Sequence, residues 1–238
     1  MDLNVLATLP VWLVIFLFST TCHEAAHALA AKLGGDSTAH DGGQVTLDPT
    51  PHIKRHPLGM ILAPIATFLL NGGGWMIGWA SAPYDPVWAN RFPRRAAWMA
   101  AAGPLANLIL VLISGAIIMG GVAAGWFQAP MSPSAEHLVD LAGGGGEGQL
   151  GILVLSVVFT LNLLLFTFNL LPVPPLDGSA AIALLLPEDW FRTFRELFEQ
   201  PGVAIIGLMA AWMAFGQLWQ PVFLGALGVL FPNVTYSS

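Results

Sequence analysis

The chain has 238 residues, of which 55% are hydrophobic and 9% are charged, against a usual charged share of about 25%. A mean hydropathy of +0.70 excludes an ordinary water-soluble domain. The net charge of −6 without any basic run excludes a nucleic-acid partner. Cys22 is the single cysteine, so there is no internal disulfide and no thiolate-rich metal site.

The first apolar helix is expected over about 3–33, closed by Gly34-Gly35. It lacks a basic lead-in and is long, so it does not read as a secretory signal peptide. Between Leu3 and Ala31 its only charged side chain is Glu24. An ionisable residue inside a bilayer costs about 2.5–3.5 kcal/mol or more and is rarely kept there without a function. Glu24 belongs to the run His23-Glu24-Ala25-Ala26-His27. On a helix, residues four apart are about 40° apart around the axis, so both imidazoles share one face. Two neutral nitrogen donors with a carboxylate beside them suit a zinc ion and a base that takes a proton from an attacking water.

Segment 36–56 is polar and turn-rich. Within it, Gln44-Val45-Thr46-Leu47 reads as a short strand between the breakers Gly42-Gly43 and Asp48-Pro49. Segment 57–80 is apolar but broken by Pro64 and Gly72-Gly73-Gly74. Prolines with Arg91, Arg94 and Arg95 follow. A second full helix is expected over about 96–126, a loop without Lys or Arg over 127–148, and a third helix over about 149–171, ended by Pro172-Val173-Pro174-Pro175. The pattern of 187–200 suits a helix lying in the membrane interface. The last apolar stretch, 202–231, is broken near Gly216 and Pro221. Trp75, Trp79, Trp88 and Trp98 read as interface anchors. His40, His52, His56 and His137 read as surface or interfacial residues.

These elements define an all-α polytopic membrane protein, a single domain over 1–238. It has about four full transmembrane helices, a re-entrant segment at 57–80 and a short membrane-associated β strand or hairpin. If 57–80 enters and leaves by one face, all eight Lys and Arg fall on one side, which the positive-inside rule makes cytoplasmic. The metal imposes the same parity. Asp177, in Pro172-Val-Pro174-Pro175-Leu-Asp177-Gly178, completes a two-imidazole, one-carboxylate set only if an odd number of crossings lies between the first helix and the helix that ends at Pro172. A full crossing by 57–80 would leave it about 30 Å away.

His23-Glu24-x-x-His27 and the Asn169-to-Gly178 stretch, in this order and in these segments, resemble the site-2 protease family of intramembrane zinc metalloproteases. Ala102-Gly103-Pro104-Leu105-Ala106-Asn107 is similar to that family's intervening helix, and Gly43 to Ile53 to the segment after the first motif in its small members. The resemblance covers about 10–185. It implies that His23, His27 and Asp177 bind one zinc ion, that Glu24 activates water and that Asn169 helps hold the substrate backbone. It also implies that 44–47 pairs with an unwound substrate by strand addition. Ser179 replaces a usual glycine and Lys54-Arg55 an often acidic position. No PDZ or CBS module fits in this length.

The expected function is cleavage of transmembrane segments of other membrane proteins, from within a multi-pass protein of the cell membrane whose site faces the cytoplasm. The lipid bilayer and a transmembrane substrate are its expected partners; the sequence indicates no oligomeric state. The alternatives are a membrane metal transporter or channel, and a non-catalytic helix-binding homologue.

Overall fold

The computed structural model describes residues 3–143, 148–187, 198, 200 and 202–236, with the side chains of 3–5 left aside. The expectation for 187–200 falls almost wholly outside these residues. Among the described residues, four helices are long and apolar enough to cross a membrane: α1 (Leu3–Gly34), α6 (Pro93–Ala123), α7 (Gln149–Asn169) and α9 (Val203–Leu230). Between α1 and α6 lie α2 (Thr38–Asp41), α3 (Thr50–Arg55), a π-turn Leu58–Leu62 continuing as α4 (Ala63–Leu70), and α5 (Pro86–Arg91). After α7 comes α8 (Asp177–Ala181) with a 3₁₀ turn, Ile182–Leu184.

The central helix is α6, which packs against α1, α7 and α8. It begins at Pro93, where a missing N–H costs nothing at a first helical position. It ends before Gly125, whose φ of +74° turns the chain away. Both ends therefore lie about three residues before the expected ones. One apolar cluster joins α6 to α7 and the end of α9 through Ile118, Phe159 and Leu227; a second joins Trp12 and Phe16 of α1 to Phe68, Met76 and Leu161. α9 runs unbroken through Gly216 and Pro221, contrary to the expected interruption, because a membrane helix tolerates proline where neighbours re-satisfy the freed backbone.

The chain from 57 to 82 doubles back. Leu58–Leu70 is 13 residues, about 20 Å at 1.5 Å per residue, and too short to cross. Glycines 72 and 73, both at positive φ, reverse it. The returning stretch 75–82 carries no helix and runs beside the outgoing one, its alternate residues 77, 79 and 81 bonding to it with the spacing of an extended chain. The Ile77 N–H donates to Thr67 Oγ1 (2.9 Å), the Trp79 N–H to the Gly59 carbonyl (3.0 Å), and Ser81 Oγ meets His56 Nε2 (2.9 Å).

Three expectations need correction. Residues 45–47 are bends and 44 has no regular structure, so 44–47 is not a strand, and 36–56 is built on the short helices α2 and α3. Local bonds take the backbone there: the Gln44 N–H donates to the Ala39 carbonyl, and the Asp48 N–H to Thr46 Oγ1. The two-stranded hairpin lies instead at β1 (Phe127–Gln128) and β2 (Asp140–Leu141), inside the expected loop. Trp88 is buried, its Nε1–H donating to the Gly34 carbonyl, and so anchors the end of α1 rather than an interface. His52 is likewise buried, with Nε2 against the Thr46 carbonyl.

Asp36 ties this end of the molecule together. Its carboxylate accepts from the Thr38 N–H and hydroxyl and from the Asp85 N–H. Burial pushes its pKa up, but these donors outweigh burial and hold it below the usual carboxylate range.

Candidate metal centre and active-site cavity

His23, Glu24 and His27 sit late in α1, all buried. Asp177 opens α8 directly after the proline-rich exit from α7. The fold brings the three expected ligands together. His23 Nε2 lies 3.0 Å from His27 Nε2 and 3.0 Å from Asp177 Oδ2, and His27 Nε2 lies 3.4 Å from the same oxygen. A tetrahedral zinc with bonds of about 2.0–2.1 Å sets its ligand atoms about 3.3 Å apart, so this triangle matches one face of that polyhedron.

The outer nitrogens explain why the inner ones converge. His27 Nδ1–H donates to the Met99 carbonyl (2.7 Å) and His23 Nδ1–H to Asn107 Oδ1 (2.6 Å). With protons on Nδ1, both Nε2 atoms carry lone pairs, and these face each other and a carboxylate oxygen. Three acceptors at this spacing repel unless a cation lies among them. Gly103 of α6 keeps that space open: a Cβ there would run into both Nε2 atoms. The donor set, its tautomers and the glycine cradle all fit zinc.

Glu24 Oε2 is buried and has no hydrogen-bond partner. Beside two imidazoles, a carboxylate left free in this way is available to accept a proton. Glu24, both histidines and Asp177 line one cavity of about 1110 Å³. Its walls are the extended stretch 75–82, parts of α6 and α7, the Pro174-to-Ala180 turn and the first half of α9. Trp75 stacks on Trp212 of α9 (5.3 Å between ring centroids) across one side. Asn169 also lines the cavity, its Nδ2 donating to the Leu165 carbonyl. Residues 44–47 are not among the lining residues.

Residues 11–214 match peptidase family M50. The chain belongs to that family. It is thus a zinc metalloendopeptidase of the site-2 protease kind, and the His23, His27 and Asp177 cluster has the donor set that zinc favours. Among curated proteins it is 35% identical over 187 residues to a Bacillus subtilis (strain 168) protein named as a zinc metalloprotease, YwhC; the match covers 76% of this chain and 72% of the relative. Proteins of Mycolicibacterium smegmatis and Mycobacterium tuberculosis, both named as a zinc metalloprotease, Rip2, are 29% and 30% identical. Those matches cover 70% and 84% of this chain, and 54% and 65% of the relatives' own lengths. No solved structure is significantly similar.

Sequence reasoning missed four features of the site. Gly103 stands out in the sequence only as part of the Ala102-to-Asn107 motif. The Met99 carbonyl is a backbone group and leaves no sequence signal. Asn162 was legible in principle, as a lone amide in the middle of an apolar helix that needs partners. The cavity-lining stretch 75–82 follows from the doubled-back chain, whose path turn residues alone do not specify.

Proposed function

We propose that this M50 peptidase cleaves transmembrane segments of other membrane proteins, with its site a short distance inside the cytoplasmic face of the cell membrane. The observation that carries the reading is the convergence of His23, His27 and Asp177 beside an unpartnered Glu24 in a largely apolar cavity between membrane-length helices. In this reading His23, His27 and Asp177 hold the zinc. The chemistry zinc supplies when bound is Lewis acidity toward the scissile carbonyl and a lower pKa for the attacking water. Glu24 takes the water's proton on Oε2 and delivers it to the leaving amine.

A transmembrane helix must unwind before its peptide bond is open to attack, because its carbonyls are engaged within the helix. The stretch 75–82 offers an edge to receive it. Ile77 and Trp79 point their N–H groups toward the outgoing arm of the hairpin. Alternation along an extended chain turns the N–H and carbonyl groups of Gly78 and Ala80 the other way. We therefore move the strand-addition role from Gln44, Val45, Thr46 and Leu47 to 76–82. Asn169, which also lines the cavity, is kept as a contact to the substrate backbone. Segment 57–80 is read as re-entrant, since its doubled-back course returns residue 79 to the level of residue 59.

A transporter needs ligands spaced along a path. Among the described residues, the one group of three or more metal-binding side chains lies at a single depth. The test is reconstitution in liposomes with a single-pass protein, followed by mass spectrometry of the products. The reading expects cleavage within or at the edge of the apolar segment. Cleavage confined to soluble domains would contradict it.

A further inference from the structure

The two histidines reach their shared tautomer by different routes. His27 faces a backbone carbonyl, Met99, which can only accept, so its Nδ1 must carry the proton. His23 faces the side-chain amide of Asn107, which has an oxygen on one side and an NH₂ on the other. Turned over, Asn107 would donate to Nδ1. The proton of neutral His23 would then sit on Nε2, in the middle of the ligand triangle.

The orientation of Asn107 is set from α7. Its Nδ2 donates to Asn162 Oδ1 (2.8 Å) and reaches the Ser19 carbonyl (3.5 Å). Asn162 is itself held one way round: its Nδ2 donates to the Val158 carbonyl (2.8 Å) and to Ser19 Oγ (2.9 Å). A backbone carbonyl cannot become a donor, so Asn162 must present its oxygen to Asn107, and Asn107 its oxygen to His23. Ser19, Asn107 and Asn162 are each 0% exposed, so bulk water does not reach them. The relay crosses three helices, from α7 through α6 to α1.

We propose that Asn162 is a positioning residue for the metal. By fixing the Asn107 amide it fixes the tautomer of His23, and so keeps the Nε2 lone pair ready for zinc. This rests on His23 being a zinc ligand. Outer partners of metal-binding histidines are worth about 10- to 100-fold in metal affinity.

The test measures zinc affinity of the purified full chain in lipid nanodiscs by competition with a chromophoric chelator. Asn162→Leu removes the relay at nearly constant volume and is expected to weaken zinc binding by about 10- to 100-fold. Asn107→Asp provides the decisive background, because a carboxylate accepts from His23 whichever way it is turned. There, Asn162→Leu should change affinity by less than about threefold, a rescue that a packing role would not produce. Asn162→Ala gives the same reading if the leucine variant does not fold, with helicity and thermal unfolding of the metal-free protein as controls. Wild-type affinity in the position-162 variants, or an equal loss in the Asn107→Asp background, overturns the proposal. His23→Ala separates the two claims. If it keeps zinc, the ligand assignment fails; if it loses zinc while the Asn162 variants do not, the relay alone fails.

Discussion

Gly103→Ala tests the metal centre without touching a ligand. The added methyl would overlap both Nε2 atoms and stand 2.6 Å from His27 Cε1, where carbon atoms normally keep about 3.5–4.0 Å. At least one ring must therefore retreat by about 1 Å. Metal–ligand distances tolerate only about 0.2 Å, so the displacement is about five times what the site allows. Zinc affinity should fall by about 100-fold or more, at the top of the range for loss of an outer partner. The overpacking cost to folding should be about 1–3 kcal/mol. Chelator competition gives the affinity, bound zinc is counted by elemental analysis after dialysis, and thermal unfolding monitors the fold. Gly115→Ala is the control in the same helix, since its methyl would meet only Phe159 at 3.3 Å and Leu230 at 3.6 Å. Wild-type zinc affinity in Gly103→Ala would show that the imidazoles do not converge beneath α6 and would refute the geometry.

Three other outcomes follow from different parts of the molecule. Ala80→Pro removes a donor from the open edge of 75–82 without touching the Trp79 bond to Gly59; cleavage should drop about tenfold at unchanged zinc content, as one lost hydrogen bond plus a steric penalty, and unchanged cleavage would discard the pairing edge. Asp36 has its folded pKa lowered, so its clamp should contribute stability fully above about pH 4, the unfolded carboxylate value, and lose it as pH falls through the lower folded value. Thermal unfolding between pH 2 and 6 should show a shallower slope in Asp36→Ala than in the wild type. For topology, cysteines at Val87 (72% exposed) and Met131 (97% exposed), each in a Cys22→Ala background, should be labelled from the cytoplasmic and the opposite side respectively; labelling of both from one side would remove the proposed arrangement.

The metal set was legible because its signal is local and chemically costly. A lone carboxylate flanked by two histidines in an apolar helix has few explanations, and the parity of crossings placed Asp177 at the same depth. The strand at 44–47 was misread because a four-residue run between turn residues has little pattern of its own. α2 takes the Gln44 N–H and His52 meets the Thr46 carbonyl, which no periodicity reveals. The open edge at 75–82 depends on a chain reversal that places Thr67 beside Ile77 and Gly59 beside Trp79, contacts set by packing rather than spacing. α9 was read as broken because Pro221 and Gly216 carry water-based meanings that membrane packing overrides. Trp88 reads in the sequence as an interface anchor, whereas it is buried against the end of α1.

The central claim is that Glu24 is the proton carrier of a zinc-dependent cleavage in a membrane segment. Its most direct measurement compares wild type and Glu24→Gln, each with counted zinc, on one reconstituted single-pass substrate. The account predicts equal zinc and a loss of cleavage of about 10²- to 10⁴-fold. Cleavage by Glu24→Gln at the wild-type rate, or zinc-loaded wild type leaving every tested transmembrane segment intact, would contradict it.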